Sequence, residues 1–426
     1  MIKRTQEKIY QISKKWGNKI GLDLPYFVKN GFWVVFRQGI GTVGGLALSV
    51  SFARLATQEV FGQYQFILSI LSIVSILSIP GLNTSIIQSA AKGYDGDYKK
   101  VVRASFLWSL LGVPILLIVG MYYYAFQNHS LGIAFMLSSI FFPFFYAPNT
   151  WDSFLQGKSR FDISAKYSSI QSLINTIATI GVIFFYRDNL VAIVAIYLIS
   201  FSFFNGYYYY KSLQYVENEK SDKDTIKYGW FLTKLSVLGF ISGNIDKILI
   251  GILLSPTSLA IYSIGILMTK QLQDNTKSIL SIFAPKQVKY NSLPLKHYLY
   301  LFLLGATIAI IGLVAIKFIL PLLFSEKYIS AIYISQISIA FYPFFILALI
   351  FKNQILFSNK KDILFRESII SPIVKIILTI ILLPLFGING LAFLFGFQYF
   401  IIFVVLYSLD RGSFCYPSNK DLKAIH

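Results

Sequence analysis

Ionisable residues lie inside segments of this chain that are otherwise apolar enough to cross a membrane. Asp246 and Lys247 are adjacent in one such segment, and Lys270, Asp274 and Lys277 lie in the next. An isolated charge at the centre of a membrane helix costs about 2.5–3.5 kcal/mol on insertion scales. We therefore expect these charges to pair with one another or to face a watery cavity, where they can bind an ionic substrate or a coupling ion.

The segment that contains Lys270 has the clearest polar pattern. Its polar residues recur at positions i, i+3, i+4, i+7 and i+11, which places them on one face of a helix. They are Lys270, Gln273, Asp274, Lys277 and Ser281. A stripe of this kind faces a neighbouring helix or a lumen rather than lipid. Two interpretations stay open: the stripe lines a transport lumen, or Asp274 pairs with a lysine of its own helix and only holds the bundle together.

Asp246 and Lys247 are poorly placed to pair with each other, because adjacent residues on a helix point about 100° apart. We expect Asp246 to meet a cation on another helix or to bind a coupling ion, either H⁺ or Na⁺, and Asp274 is the other candidate for binding that ion. A purely structural salt bridge is the alternative. Cations outnumber acids inside the apolar segments, and a surplus of cations suits an anionic substrate. The residues predicted to line such a cationic cavity are Arg37, Lys270, Lys277 and Lys375.

The elements that must position these residues are membrane helices. Of the 426 residues, 55% are hydrophobic and 13% are charged, and apolar runs of about twenty residues recur along the chain. We predict an all-α, polytopic membrane protein with twelve transmembrane helices in two six-helix bundles. The predicted spans are about 31–53, 62–82, 104–126, 131–150, 167–186, 190–210, 229–253, 259–283, 298–321, 329–356, 367–386 and 388–409.

The distribution of basic residues predicts the orientation of the chain. Most Lys and Arg residues outside the spans lie before span 1, after span 12 or in the loops that follow even-numbered spans. The opposite side holds Arg54, Arg187, Lys317 and Lys327. By the positive-inside rule, both termini are predicted to be cytoplasmic. The formal net charge of +19 then reflects membrane orientation and does not indicate nucleic-acid binding.

A short internal repeat divides the chain into two parts. Residues 29–33 (KNGFW) resemble residues 227–231 (KYGWF), and residues 61–64 resemble residues 259–262 at the same offset. Because six spans separate the repeats, both halves run in the same direction and are related by an axis along the membrane normal, with a cavity between them. The predicted units are a basic amphipathic surface helix (1–30), an N-terminal bundle (31–210), a cytoplasmic linker (211–228), a C-terminal bundle (229–410) and a cytoplasmic tail (411–426).

The sequence contains little that would support catalysis or metal binding. It has no G-x-x-x-x-G-K-[ST] loop for ATP, and its single cysteine, Cys415, allows neither an intrachain disulfide nor a cysteine metal site. Asp152 and Asp162 are too isolated to suggest a catalytic pair. We predict a transporter that is not an enzyme and that has no cofactor or metal.

Five short motifs occur in order along the chain: 60–64 (VFGQY), 154–157 (FLQG), 246–251 (DKILIG), 259–263 (LAIYS), and 323–324 (LF) with Tyr328. In this order, on twelve spans, they resemble Wzx-type O-antigen and polysaccharide flippases of the multidrug/oligosaccharidyl-lipid/polysaccharide (MOP) exporter superfamily. The resemblance implies two six-helix bundles arranged as a V in the bacterial inner membrane, with alternating access driven by an ion gradient.

The same resemblance implies a substrate and partners. The substrate would be an oligosaccharide repeat unit on undecaprenyl pyrophosphate, moved to the periplasmic leaflet for the synthesis of lipopolysaccharide O-antigen or exopolysaccharide. The implied partners are the polysaccharide polymerase and chain-length proteins. A cation-coupled exporter of drugs or small molecules is the first alternative, although a site for cationic drugs would contain more acids. A membrane-embedded polysaccharide polymerase is the second, although the loops on the predicted outer side are short.

Overall fold

The computed structural model describes residues 24–287, 295–358 and 360–410. Within these ranges the regular secondary structure is all helical and includes no β-strand. The predicted surface helix (1–30) lies outside the described residues up to position 23, and the predicted tail (411–426) lies outside them entirely. The helices are α1 (Leu24–Leu55), α2 (Gln58–Val74), α3 (Gly81–Ala91), α4 (Asp97–Ser109), α5 (Gly112–Phe126), α6 (His129–Tyr146), α7 (Thr150–Gly157), α8 (Phe161–Phe185), α9 (Leu190–Ser212), α10 (Thr225–Leu253), α11 (Pro256–Gln287), α12 (Leu295–Phe324), α13 (Ser330–Ala340), α14 (Tyr342–Phe357) and α15 (Lys361–Leu409).

These helices form the twelve predicted spans. Spans 1 and 5–9 are single helices: α1, α8, α9, α10, α11 and α12. Spans 2, 3, 4 and 10 are broken into α2–α3, α4–α5, α6–α7 and α13–α14. The long helix α15 contains spans 11 and 12, which are separated at Gly387 by a positive φ of 57°. A break before α3 coincides with Pro80, whose ring and missing N–H interrupt the helical hydrogen bonding.

Hydropathy alone identifies fewer spans than the fold contains. Among the described residues, nine helices are long and apolar enough to cross a membrane, or ten when the bent pair α13–α14 counts as one span. The two others are α11, whose polar stripe lowers its hydropathy, and the second arm of α15 beyond Gly387. The predicted all-α, twelve-span architecture is thereby confirmed.

Two sides of the membrane are distinguished here by their loops. We call the side that holds the loops after spans 2, 4, 6, 8 and 10 the basic side, and the opposite side the short-loop side. Spans 1–6 are called the N half and spans 7–12 the C half. The halves meet along a seam between spans 2 and 7, which four hydrogen bonds cross among the described residues. They join Lys247 Nζ to Gln65 Oε1 (3.4 Å), Asn244 Nδ2 to Ser72 Oγ (2.9 Å), the Gly81 N–H to Thr233 Oγ1 (2.9 Å), and Gln88 Nε2 to the Tyr228 hydroxyl (3.5 Å).

The connection between the halves is held on the basic side by Asp95, in the loop before α4, and by Asp97, the first residue of α4. Asp97 is buried and accepts hydrogen bonds from Thr225 Oγ1 (2.7 Å) and from the Asp222 N–H (3.1 Å). Asp95 is also buried; it pairs with Lys158 and accepts the N–H of Glu217 at 2.8 Å. We call Asp95 and Asp97, with these contacts, the linker clamp.

Candidate functional site

Four of the residues singled out from the sequence come together inside the C half. They are Asp246, Lys247, Lys270 and Lys375, on spans 7, 8 and 11. Lys247 interacts electrostatically with the other three, and Lys375 interacts with Asp246 and Lys270. At about 1.5 Å of rise per residue, Lys270 lies ~21 Å from the start of α11 on the short-loop side. Lys375 lies ~21 Å from Lys361, the first residue of α15, on the basic side. The cluster therefore lies near the middle of the membrane.

Asp246 is held by donors on two helices. Its side chain is buried, and Oδ2 accepts a 2.6 Å hydrogen bond from the hydroxyl of Tyr262 on span 8. Oδ1 accepts the backbone N–H of Lys247 at 2.9 Å. These donors reduce the cost of burying a carboxylate, which is high for an unpaired charge. The contact with another helix that we expect for Asp246 is thus made by a phenol, while its cationic neighbours act through space.

The lysines of the cluster differ in their contacts. Lys247 reaches across the seam to Gln65, whereas Lys270 is exposed to a cavity. Lys375 is buried, and its ammonium makes no direct hydrogen bond or ion pair within the described parts of the chain. With three lysines and one aspartate, the cluster has a formal excess of positive charge. A surplus of buried cations attracts an anion strongly, because the surrounding dielectric is low.

Two adjoining cavities connect this cluster with the basic side. The first has a volume of about 690 Å³ and is lined by Lys270, by Asn244 and Ser236 of span 7, and by Ser72 of span 2. The second has a volume of about 920 Å³ and extends to Lys361, the first residue of α15 on the basic side. Both cavities share the following lining residues: Leu232, Leu235, Lys352, Glu367 and Ser368. Together they form a route from the basic side to the middle of the membrane.

An ion pair that the sequence analysis does not predict lies where the two cavities adjoin. Lys352 on span 10 and Glu367 on span 11 are 2.8 Å apart, and the carboxylate is almost completely buried. Glu367, Ser371 and Lys375 follow one another at intervals of four residues on the buried face of span 11. This spacing was visible in the sequence and is the signal that could have identified Glu367. Lys352 and Glu367 thus place one positive and one negative charge on the route between the basic side and the lysine cluster.

Arg37 does not lie with the predicted cavity lysines. Its Nη1 is 2.9 Å from Asp152 and also donates to Ser164 Oγ at 3.4 Å, so the guanidinium is held within the N half. It lines a separate cavity of about 200 Å³, together with Gln38 and Gln156. Arg37 therefore lies apart from Lys270, because it forms an ion pair with Asp152 in the N half. The sequence does not indicate Asp152 as a partner of Arg37.

Asp274 and Lys277 have features of both interpretations of the span 8 stripe: they pair within their own helix, and Lys277 also lines a cavity. Asp274 Oδ1 and Lys277 Nζ form an ion pair at 3.1 Å within one helix, and both side chains remain partly exposed. Lys277 also lines the larger cavity, with its Nζ 5.8 Å from the ring centre of Phe345. Gln273 on the same stripe is buried and accepts a 3.0 Å hydrogen bond from Tyr399. One stripe thus contacts both a cavity and span 12.

Comparisons with other proteins agree with this architecture. Residues 27–283 match the sequence model of a family described as polysaccharide biosynthesis protein. A search of curated proteins finds no match. The fold is similar to that of a multidrug resistance MATE family transporter of the MOP superfamily in its outward-facing conformation, with a TM-score of 0.58 and 13% identity over 91% of this chain and 95% of the other.

Two further solved structures are also similar in fold to this chain. A MATE protein in complex with MaD5 has a TM-score of 0.62, and a MOP superfamily transporter from Pyrococcus furiosus, described as having a binding pocket of reverse polarity, has a TM-score of 0.58. Each is 13% identical to this chain and covers 91% of it, and the alignment covers 95% of each of those chains. At this identity the likeness establishes the twelve-helix transporter fold.

Proposed function

The chain belongs to the family of polysaccharide biosynthesis proteins, and from that premise we propose that it is a flippase for lipid-linked oligosaccharides. It is a multi-pass membrane protein with a transporter fold. The proposed substrate is an oligosaccharide repeat unit on undecaprenyl pyrophosphate. The proposed movement is from the cytoplasmic to the periplasmic leaflet of the bacterial inner membrane, for O-antigen or exopolysaccharide synthesis.

The observation that carries this proposal is the cationic cluster at the end of a cavity. A pyrophosphate is a compact anion, and it needs cations where the bilayer offers none. Lys270 lines the 690 Å³ cavity, and Lys375 lies in electrostatic contact with it. We propose that these two lysines bind the pyrophosphate at the middle of the membrane, and that Lys277 and Lys352 attract it from the basic side. In this proposal the lipid tail remains in the bilayer.

Asp246 is the proposed site of ion coupling. It is the one acid of the mid-membrane cluster and lies in electrostatic contact with Lys375. Binding of H⁺ or Na⁺ at Asp246 would leave Lys375 without the attraction of that carboxylate. Ion binding and the availability of Lys375 to the substrate are then linked, and by thermodynamic necessity each affects the other equally.

Deletion and complementation in the native host test the proposed function. Loss of the protein should remove surface polysaccharide and leave the lipid-linked repeat unit in the cytoplasmic leaflet. Complementation with the parent chain should restore both, Lys270→Ala should not, and Lys317→Ala should, because Lys317 is an exposed lysine of span 9 that lines neither cavity. Appearance of single repeat units at the cell surface without polymer would instead indicate a polymerase and would contradict the proposal.

A small-molecule exporter is the second candidate, because the fold is also that of multidrug transporters. The charge of the site distinguishes the two candidates, since a surplus of lysines repels the cationic drugs that an acidic site would bind. Drug susceptibility of the deletion strain checks this alternative. We expect unchanged susceptibility to cationic drugs, together with the loss of surface polysaccharide.

A further inference from the structure

A set of contacts joins the two halves at the short-loop ends of the spans. Arg54, near the end of α1, donates from Nε to the carbonyl oxygen of Leu323 at 2.9 Å and from Nη2 to that of Leu322. These carbonyls belong to the last turn of α12, which ends at Phe324 and whose final carbonyls have no partner within the helix. The guanidinium also complements the negative end of the helix dipole. Arg54 of the N half thus caps a helix of the C half.

The next turn of the chain adds two contacts at the same level. Gln58, the first residue of α2, donates from Nε2 to the carbonyl oxygen of Lys327 at 2.7 Å. Gly62, one turn further along, packs so closely that an added Cβ would lie 1.7 Å from the carbonyl oxygen of Pro256. Spans 1 and 2 are therefore attached to the ends of spans 8 and 9 and to the short connection between spans 9 and 10. We call the contacts of Arg54 and Gln58 across the halves the short-loop latch.

We propose that the short-loop latch is the gate that closes the cavity to the short-loop side, and that breaking the bonds of Arg54 opens it. This inference rests on the proposed alternating-access transport, in which a closure on one side must break in each cycle. Arg54 is exposed, so water can replace its protein acceptors at little cost. The Gly81–Thr233 bond of the seam is buried and lacks this property. The exposed latch is the weaker of the two connections.

The latch is tested by the accessibility of a cavity residue from each side of the membrane. The parent for this experiment carries Cys415→Ser and Ser236→Cys, which places one reactive thiol on the cavity wall. A membrane-impermeant maleimide is added to right-side-out and to inverted membrane vesicles. We expect Arg54→Ala to raise the labelling rate from the short-loop side about fivefold, because a solvent-exposed charged contact contributes up to about that factor.

Arg187→Ala is the matched control, because Arg187 is exposed on the same side and makes no hydrogen bond across the halves within the described residues. Equal labelling from the short-loop side in Arg54→Ala, Arg187→Ala and their parent would overturn the proposal. The labelling needs no substrate. A functioning latch in a chain that flips no lipid-linked sugar would therefore refute the proposed substrate and leave the gate intact.

A cross-link provides a second measurement that does not depend on the folding of Arg54→Ala. In the parent with Cys415→Ser and Ser236→Cys, the further changes Gln58→Cys and Lys327→Cys place two thiols where the latch joins the halves, and oxidation can connect these two thiols by a disulfide. We expect the cross-linked protein to lose maleimide labelling at position 236 from the short-loop side and to stop flipping the lipid-linked repeat unit. Reduction of the disulfide should restore both the labelling and the flipping. Flipping at the parent's rate in the fully cross-linked protein would overturn the proposal.

Discussion

The hydroxyl of Tyr262 lies 2.6 Å from Oδ2 of Asp246 and connects spans 7 and 8 beside the lysine cluster. Both side chains are buried. The phenol fixes the position of the carboxylate without neutralising it, because a neutral donor supplies no charge. Lys247 and Lys375 lie within the electrostatic reach of the Asp246 side chain. This arrangement suits a group that gains and loses a small cation during transport.

Asp246→Asn tests the proposed coupling site. Asparagine retains the size of the side chain and an oxygen for Tyr262 but cannot carry the negative charge. We expect flipping to fall about tenfold or more, which corresponds to about 1.4 kcal/mol, and its dependence on the ion gradient to disappear. Flipping is measured as the fraction of lipid-linked repeat unit in each leaflet. Asp274→Asn is the control, since its carboxylate is partly exposed and pairs on its own helix; ion-dependent flipping in Asp246→Asn would contradict the coupling role.

Lys375→Met separates binding from stability. Methionine fills the space of the buried side chain without a charge, and because the Lys375 ammonium makes no direct ion pair among the described residues, its removal relieves the cost of burying a charge. We expect an unchanged or higher melting temperature in detergent, together with a loss of flipping. Lys277→Met should have a smaller effect on both, because Lys277 is partly exposed. A Lys375→Met variant that flips at the parent's rate would remove Lys375 from the proposed site.

The sequence was sufficient for the helices because each span must satisfy its own backbone hydrogen bonds within the bilayer. The turn between spans 11 and 12 was predicted at Gly387, where the structure has a positive φ that glycine adopts without strain. The polar stripe of span 8 was also visible, since it depends only on the spacing of residues such as Lys270 and Asp274 along one helix. Patterns confined to one element can be read from the chain.

Contacts between helices were harder to predict, because they depend on how each helix is rotated against its neighbours. Arg37 and Asp152 are far apart in the sequence, and nothing in either segment indicates that their helices meet. Lys352 on span 10 pairs with Glu367 on the next span, and the spacing of residues within span 10 gives no sign of that partner. One-dimensional spacing identifies the polar face of a helix and does not identify the residue opposite.

The ion pair of Lys352 and Glu367 leads to a prediction about stability. The carboxylate is buried and the lysine is about half exposed, so Lys352→Met leaves a buried acid without its partner. We expect this variant to lose about 1–3 kcal/mol of unfolding free energy, and the double variant Lys352→Met with Glu367→Leu to recover most of it. Thermal unfolding of the four proteins in one detergent measures the coupling. Additive losses in the double variant would show that the pair is not the cause.

The linker clamp leads to a prediction about the basic side. Asp97→Asn keeps an oxygen for Thr225 but weakens the hydrogen bonds that a charged carboxylate accepts from Thr225 and from the Asp222 N–H. We expect a loss of about 1–3 kcal/mol and faster proteolysis between residues 216 and 224, because the linker is released more often. Asp162→Asn is the control, since Asp162 is partly exposed and its ion pair with Arg160 contributes little. Equal proteolysis in the two variants would show that Asp97 does not hold the linker.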